Sequence, residues 1–222
     1  MANSPWSCVL WDVDGTIADA SAGILPRIER VLGEIGHPPL PSDQVRRWIG
    51  PPMLESFQRL AGLSLEQATD AVGRYRELAS EHGYAHKVRI YDGVAEVIRA
   101  VHDAGIPQST ASTKPENQVR AILEHYELAP MFDSIHGAIP DADVLDTKAL
   151  VLGRALDDMR ARGVDLSNPV LIGDRHHDVD GAAEHDVPVI FVRWGFGDAD
   201  EAKGSVAIAE DPEHLRELLL PR

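Results

Sequence analysis

Cysteine is nearly absent from this chain of 222 residues. Cys8 stands alone, so no intrachain disulfide is possible, in keeping with a reducing compartment. Cys8 lies inside an apolar run, where a thiol serves as a small core group and not as a nucleophile. Positive charge is also scarce: 21 Lys and Arg face 36 Asp and Glu, a formal net charge of -15. Such a chain is a poor partner for nucleic acid or an anionic membrane, because phosphate backbones need cationic contacts. A small phosphorylated metabolite is not excluded, since it responds to the local field of a pocket. No apolar run approaches the ~20 residues that span a bilayer. Met1-Ala2-Asn3-Ser4-Pro5-Trp6 has no basic stretch leading into an apolar one, so no signal peptide is expected and the protein reads as cytoplasmic. There is no P-loop, and Gly195 and Gly197 lack the strand-loop-helix context of a dinucleotide fingerprint.

What the chain does have is 44% hydrophobic and 26% charged residues, enough for one globular core with a small appended domain. Cys8-Val9-Leu10-Trp11 reads as a buried strand that empties into Asp12-Val13-Asp14-Gly15-Thr16. Two acids one residue apart repel unless a positive charge sits between them, and the usual solution is a hard cation bound through oxygen. From about Asp19 to Ala85 the pattern is helical. Ile24, Leu25, Ile28, Val31, Leu32 and Ile35 form one face of a helix. Ser42 and Asp43 cap a short helix through Trp48, Pro52 opens another, and Ser64-Leu65-Glu66-Gln67 is a capping box for a helix that Gly83 ends.

Past Val88 strands and helices alternate. Strands are expected at Ile106 to Ser112, Ser134 to Gly137, Val170 to Ile172, Val187 to Val192 and, weakly, Val206 to Ala209. Helices are marked by Val94 to Val101, by Val119 to Leu123, by Leu145 to Met159 and by Leu215 to Leu219. This alternation predicts a doubly wound, Rossmann-like α/β parallel sheet in residues 1–18 and 87–222, with an inserted all-α cap at 19–86. Ligands bind at the carboxyl edge of such a sheet. Asp12 and Asp14 follow the first strand, Ser112 closes the second, and Asp174 follows Val170-Leu171-Ile172. Lys148 opens a helix and is the lysine expected at that edge. Adjacent His176 and His177 rarely converge on one ion, and His82 and His86 have Gly83 between them, so zinc is not expected.

These residues resemble the haloacid dehalogenase superfamily. Asp12-Val13-Asp14-Gly15-Thr16 matches its first motif, Ser112-Thr113-Lys114-Pro115 the second, Lys148 the third, and Gly173-Asp174 with Asp178 the fourth. Ile49-Gly50-Pro51-Pro52, Thr113-Lys114-Pro115 and Trp194-Gly195-Phe196-Gly197 resemble the phosphoglycolate-phosphatase-like branch, and Tyr75-Arg76 is shared with nucleotidase-like members. Two departures, Ala20 after Asp19 and the missing Lys-Pro pair before Lys148, blur the substrate more than the chemistry. The resemblance implies a magnesium-dependent phosphatase for a small phosphomonoester, phosphoglycolate-like or a nucleoside monophosphate, acting as monomer or homodimer. Asp12 would be the nucleophile and Asp14 the acid and base. Asp12, Asp14 (through its main-chain carbonyl), Asp174 and Asp178 would hold Mg2+. Gly15, Thr16, Ser112, Thr113 and Lys148 would bind the phosphoryl group. Arg175 and His177 would tie the fourth-motif loop. A sugar-phosphate mutase is the alternative within the fold, and a receiver-like or inactive phosphate-binding module the alternative outside enzymology.

Overall fold

A computed structural model describes residues 4–41, 44–141 and 146–220. Ser42, Asp43 and Leu145, given helical roles above, lie outside the described residues. Five short strands build the central sheet: β1 (Cys8–Trp11), β4 (Gln108–Thr110), β5 (Pro169–Gly173), β6 (Val189–Val192) and β7 (Ala207–Ala209). Their spatial order is β4-β1-β5-β6-β7, and every pairing is parallel. The chain leaves β1 for a neighbour on one side and later returns to pair β5 on the other. The carboxyl end of β1 is therefore the point where the winding reverses, and it ends at Asp12.

Four of the strands carry near-continuous apolar runs, as strands with both faces covered do, whereas β4 is polar though buried. Successive side chains point to opposite faces. Val9, Trp11, Val170, Ile172, Ile190 and Val192 share one core with α4 (Val94–Asp103), α5 (Glu116–His125) and α8 (Pro212–Leu219). Cys8, Leu10, Leu171, Val189 and Phe191 share the other with α6 (Lys148–Ala161) and α7 (His176–Ala183). Burial pushes the Cys8 thiol up to about 12, with the Asp133 charge adding to it, so it stays protonated and inert. Beside the site the β1–β4 register is pinned by a buried polar contact. Trp11 Nε1 donates to Gln108 Oε1 at 2.9 Å, and Gln108 Nε2 donates to the carbonyls of Ile98 and Met131.

Between β2 (Ala18–Asp19) and β3 (Arg89–Ile90) the described residues fold only into helices: α1 (Ser21–Glu34), a 3-10 turn at Val45–Trp48, α2 (Met53–Arg59) and α3 (Leu65–His82). The Ser64 capping box forms as its sequence implies, with Gln67, and Gly83 closes the helix at φ 84°. Trp48 and Phe57 meet edge to face at 5.4 Å, inside a core that also takes Ile24, Ile28, Val72 and Leu78. β2 and β3 pair antiparallel, so the insert leaves and re-enters the sheet domain through one two-residue ribbon. The sequence had shown no strand there.

Two expected strands are corrected. Ile106 to Ser112 shrinks to Gln108–Thr110, and Ser134 to Gly137 forms no strand. Ser134 makes one parallel bridge to Ser109 and Ala138 another to Pro115. The chain there follows β4 from outside, held by Thr110 Oγ1 on the His136 carbonyl at 2.8 Å, and never sustains a ladder.

Candidate active site

The carboxyl edge gathers three buried acids. Oxygens of Asp12, Asp174 and Asp178 lie within 4.8 Å of one another, the one grouping among the described residues compact enough to hold a metal ion. Asp12 follows β1, Asp174 follows β5, and Asp178 sits in the first turn of α7. Lys148, the first residue of α6, reaches into this group. Its Nζ donates to Asp12 Oδ1 at 2.6 Å and to the Ala111 carbonyl at 2.7 Å, and lies 2.8 Å from Asp178 Oδ1. Burial alone would lower the lysine, but Asp12 and Asp178 overrule it and hold it above its ordinary range. Asp178 also accepts the Asp174 and Arg175 N–H groups on Oδ2, at 3.0 and 2.9 Å. It therefore orients Lys148 and ties down the start of α7 at once.

One ammonium does not neutralise three buried carboxylates. Burial pushes the Asp12 carboxyl up to about 6, with Lys148 pulling it back and Asp178 and Asp14 adding to the rise. Asp174 is pushed well above its ordinary value, by burial first and then by Asp178 and Asp12. Such a cluster of hard oxygen donors, short of positive charge, fits a divalent cation of the magnesium type.

Asp174 is enclosed by backbone. Gly15 (φ 93°) passes so close that a Cβ there would overlap the Asp174 carboxylate. The loop after β6 closes the other side: a Cβ on Gly195 would strike the same carboxylate, and one on Gly197 the Asp174 carbonyl. Phe196 N donates to Asp174 Oδ2 at 2.7 Å, and Trp194 Nε1 to the Thr16 carbonyl at 3.0 Å. The segment Trp194-Gly195-Phe196-Gly197 is thus an Asp174 cradle. Two glycines one apart behind a strand end were the signal for it.

The remaining expected residues divide. The Ser112 Oγ is buried in the loop after β4 and accepts from Lys114 N at 3.3 Å. Thr16 Oγ1 donates to Asp174 Oδ1 at 3.3 Å, the Gly15 N–H donates to the Ala18 carbonyl at 2.9 Å, and Thr113 Oγ1 donates to the Gly50 carbonyl at 2.7 Å. Each of these three donors already has a protein acceptor. The Asp14 carboxylate stands apart from the trio, with Oδ2 2.7 Å from Lys114 Nζ. Lys114 had been passed over in favour of Lys148. Both lysines follow the sheet edge, and both are buried. The His176 and His177 rings lie 3.9 Å apart, tilted by 42°, and His177 is held below the ordinary imidazole range by burial and by its neighbour His176.

The helical insert docks over this edge. Arg175 Nη1 donates to the Ile49 carbonyl, Thr113 to Gly50, and Arg46 Nη2 to the Gly195 carbonyl at 2.8 Å. Gly50 (φ 105°) has no room for a side chain, since a Cβ would lie 2.8 Å from Arg175 Cγ. Arg175 is fixed from behind by Glu201, 2.9 Å from its Nε. Between insert and edge a cavity of about 60 Å3 remains, walled by Asp14, Trp48, Tyr75, Arg76 and Lys114 among others.

A doubly wound parallel sheet with a buried acid cluster at its winding reversal and a helical insert docked above defines an α/β protein of the Rossmann-like class. Residues 9–192 match the model of the haloacid dehalogenase-like hydrolases, and the chain belongs to that family. It is 36% identical over 192 residues to the tyrosine-protein kinase PtkA of Mycobacterium tuberculosis, covering 86% of this chain and 64% of that protein, under two thirds of its length. It is 31% identical over 206 residues to a 5'-nucleotidase of Pseudomonas aeruginosa (93% and 89% covered) and 30% over 194 residues to a phosphoglycolate phosphatase of Caulobacter vibrioides (85% and 79%).

Proposed function

We propose that this protein hydrolyses a small phosphomonoester through an aspartyl-phosphate. The observation that carries the reading is Lys148 bonded to Asp12 within 4.8 Å reach of the other buried acids. Asp12 attacks phosphorus as the ester oxygen departs, and the new bond is a mixed anhydride on its carboxylate. Lys148 holds Asp12 in place and offsets the charge around it. Asp14 lies two residues further along and lines the cavity, where it gives a proton to the leaving alcohol and takes one from the water that cleaves the anhydride. Ser112, Thr113 and the backbone about Gly15 border the phosphoryl position.

Asp12, Asp174 and Asp178 are the residues that would hold Mg2+. Asp14 would contribute its main-chain carbonyl, which leaves its carboxylate, held by Lys114 at Oδ2, for proton transfer. When bound, the cation supplies the positive charge that lets a carboxylate approach a phosphate. The insert, residues 19–86, acts as a cap that shapes the leaving-group side.

The test is phosphate release from a panel of esters with Mg2+. Turnover is expected in the wild type and none in Asp12→Asn; appreciable release by that variant would refute the nucleophile. The likeness to a tyrosine kinase favours a second reading, transfer to a tyrosine in place of water. In the same assay with ATP and a tyrosine peptide, that reading requires the phosphate on the peptide and little of it free.

A further inference from the structure

A second cavity, of about 240 Å3, lies at the base of the insert and shares no lining residue with the one over Asp14. Five of its eight lining residues are basic, Arg27, Arg30, His82, His86 and Lys87, and none is acidic. In a chain with 36 acids against 21 Lys and Arg, that is the reverse of the general balance. The chain passes this point twice. α1 begins just after β2, and Lys87 stands just before β3. Gly23 lets the two passes touch, since a Cβ there would lie 2.9 Å from the His86 carbonyl and 3.5 Å from Arg27 Nη2. The basic groups of both passes therefore line one space.

The protein gives these groups little counter-charge. Arg27 is buried, its Nε has no hydrogen-bond partner among the described residues, and its guanidinium lies 5.2 Å from the centre of the Tyr75 ring and on no carboxylate. A buried cation with an unmet donor is short of an acceptor. Lys87, His82 and His86 make no ion pair among the described residues, and the two imidazoles lie 6.0 Å apart. Arg30 has one, with Glu34 at 3.1 Å, but it is exposed and Glu34 also serves Arg74.

We propose that this cavity is a second anion site, separate from the acid cluster, for a small phosphoryl compound. Arginine forks meet phosphoryl oxygens two at a time. Basic groups that arrive from α1, from the end of α3 and from the connection after it suit a tetrahedral anion better than a planar carboxylate. One water-sized sphere needs about 10–15 Å3, so the space admits a polyatomic anion together with water. Through Arg27 the site borders Tyr75, which walls the cavity over Asp14.

The experiment is titration calorimetry of the protein with pyrophosphate and with inorganic phosphate in chelator, where the acid cluster carries no cation and repels both. Citrate, an anion of similar charge built from carboxylates, is run beside them. Both phosphoryl anions should bind at one site, and citrate about 10-fold or more weaker than pyrophosphate. His86 and Lys87 are exposed, so the double variant His86→Gln, Lys87→Gln keeps the fold and should weaken pyrophosphate by about 10-fold or more. Arg27→Gln should remove binding altogether. Ser112→Ala, at the other cavity's edge, should bind as the wild type does. No binding of either phosphoryl anion, citrate as tight as pyrophosphate, or an affinity unmoved in the double variant would overturn the proposal. A loss in Ser112→Ala would overturn it too, by placing the anion at the acid cluster. No turnover is read, so failure of the phosphatase reading leaves this result standing.

Discussion

Replacing Asp12 by Asn should stabilise the cation-free protein even as it abolishes turnover. Burial raises the Asp12 carboxyl to about 6 from an ordinary 3.8, against the pull of Lys148. A raised acid gives stability that is complete below the unfolded value and is lost as pH climbs through the folded one. The window runs from about pH 4 to 6, and at pH 7.5 the ionised group costs the fold about 3 kcal/mol. Asn is uncharged and still accepts from Lys148. At roughly 2–4 °C per kcal/mol for a chain of this size, Tm should rise by about 6–12 °C in chelator at pH 7.5. The gain should vanish near pH 4, where the wild-type carboxyl binds its proton. Added Mg2+ should then raise the wild type more than the variant, because a ligand stabilises by binding the native state alone. The assay is calorimetric melting of both proteins at pH 4 and 7.5, with and without cation. If Asn lowers Tm at pH 7.5 in chelator, Asp12 is a structural turn former and the charge argument fails.

Lys148→Met should cost about 3–5 kcal/mol in urea denaturation at pH 7.5, because it leaves Asp12 and Asp178 facing each other without their shared cation; a loss under about 1 kcal/mol would mean the ammonium is dispensable. Gly195→Ala should drive a methyl into the Asp174 carboxylate and weaken Mg2+ binding by about 10- to 100-fold in titration calorimetry. Its control is Gly73→Ala in α3, where a Cβ meets nothing within 4 Å and about 0.4–1 kcal/mol of stabilisation is expected. Equal Mg2+ affinity in the two variants would rule out the cradle.

The elements that carry the acids were legible because each is a strand end or a helix start with a local signature. Asp12 ends an apolar run, Asp174 follows another, and Lys148 opens a helix that Thr147 caps. The α3 boundaries were legible for the same reason, since a capping box and a positive-φ glycine are chemistry within a few residues. What failed was anything set by two loops meeting. Lys114 and Asp14 are 100 residues apart, and no local pattern says which lysine will turn toward which acid. The hydroxyls of Thr16 and Thr113 bond oxygens of Asp174 and Gly50, partners far away in sequence that no local pattern names. The β2–β3 ribbon has two residues a side, too few for any period to register. Trp48 was legible only as a helix end and Arg76 only as part of the Tyr75-Arg76 pair, because a position on a helix looks the same in sequence whether its polar atom meets protein or a cavity.

The docking contacts fall on the main chain of Ile49 and Gly50, two residues that also line the cavity. Arg175 and Thr113 bond the backbone carbonyls of Ile49 and Gly50, and Arg46 bonds that of Gly195. Two of the three accept on the insert's own main chain, so they constrain its path and leave most of its side chains free to differ. Their net worth is about 0.5–1.5 kcal/mol for the neutral donor and 1.5–3 for each guanidinium. In this arrangement Ile49 and Trp48 are buried. Trp48 and Arg76 take no part in these three bonds.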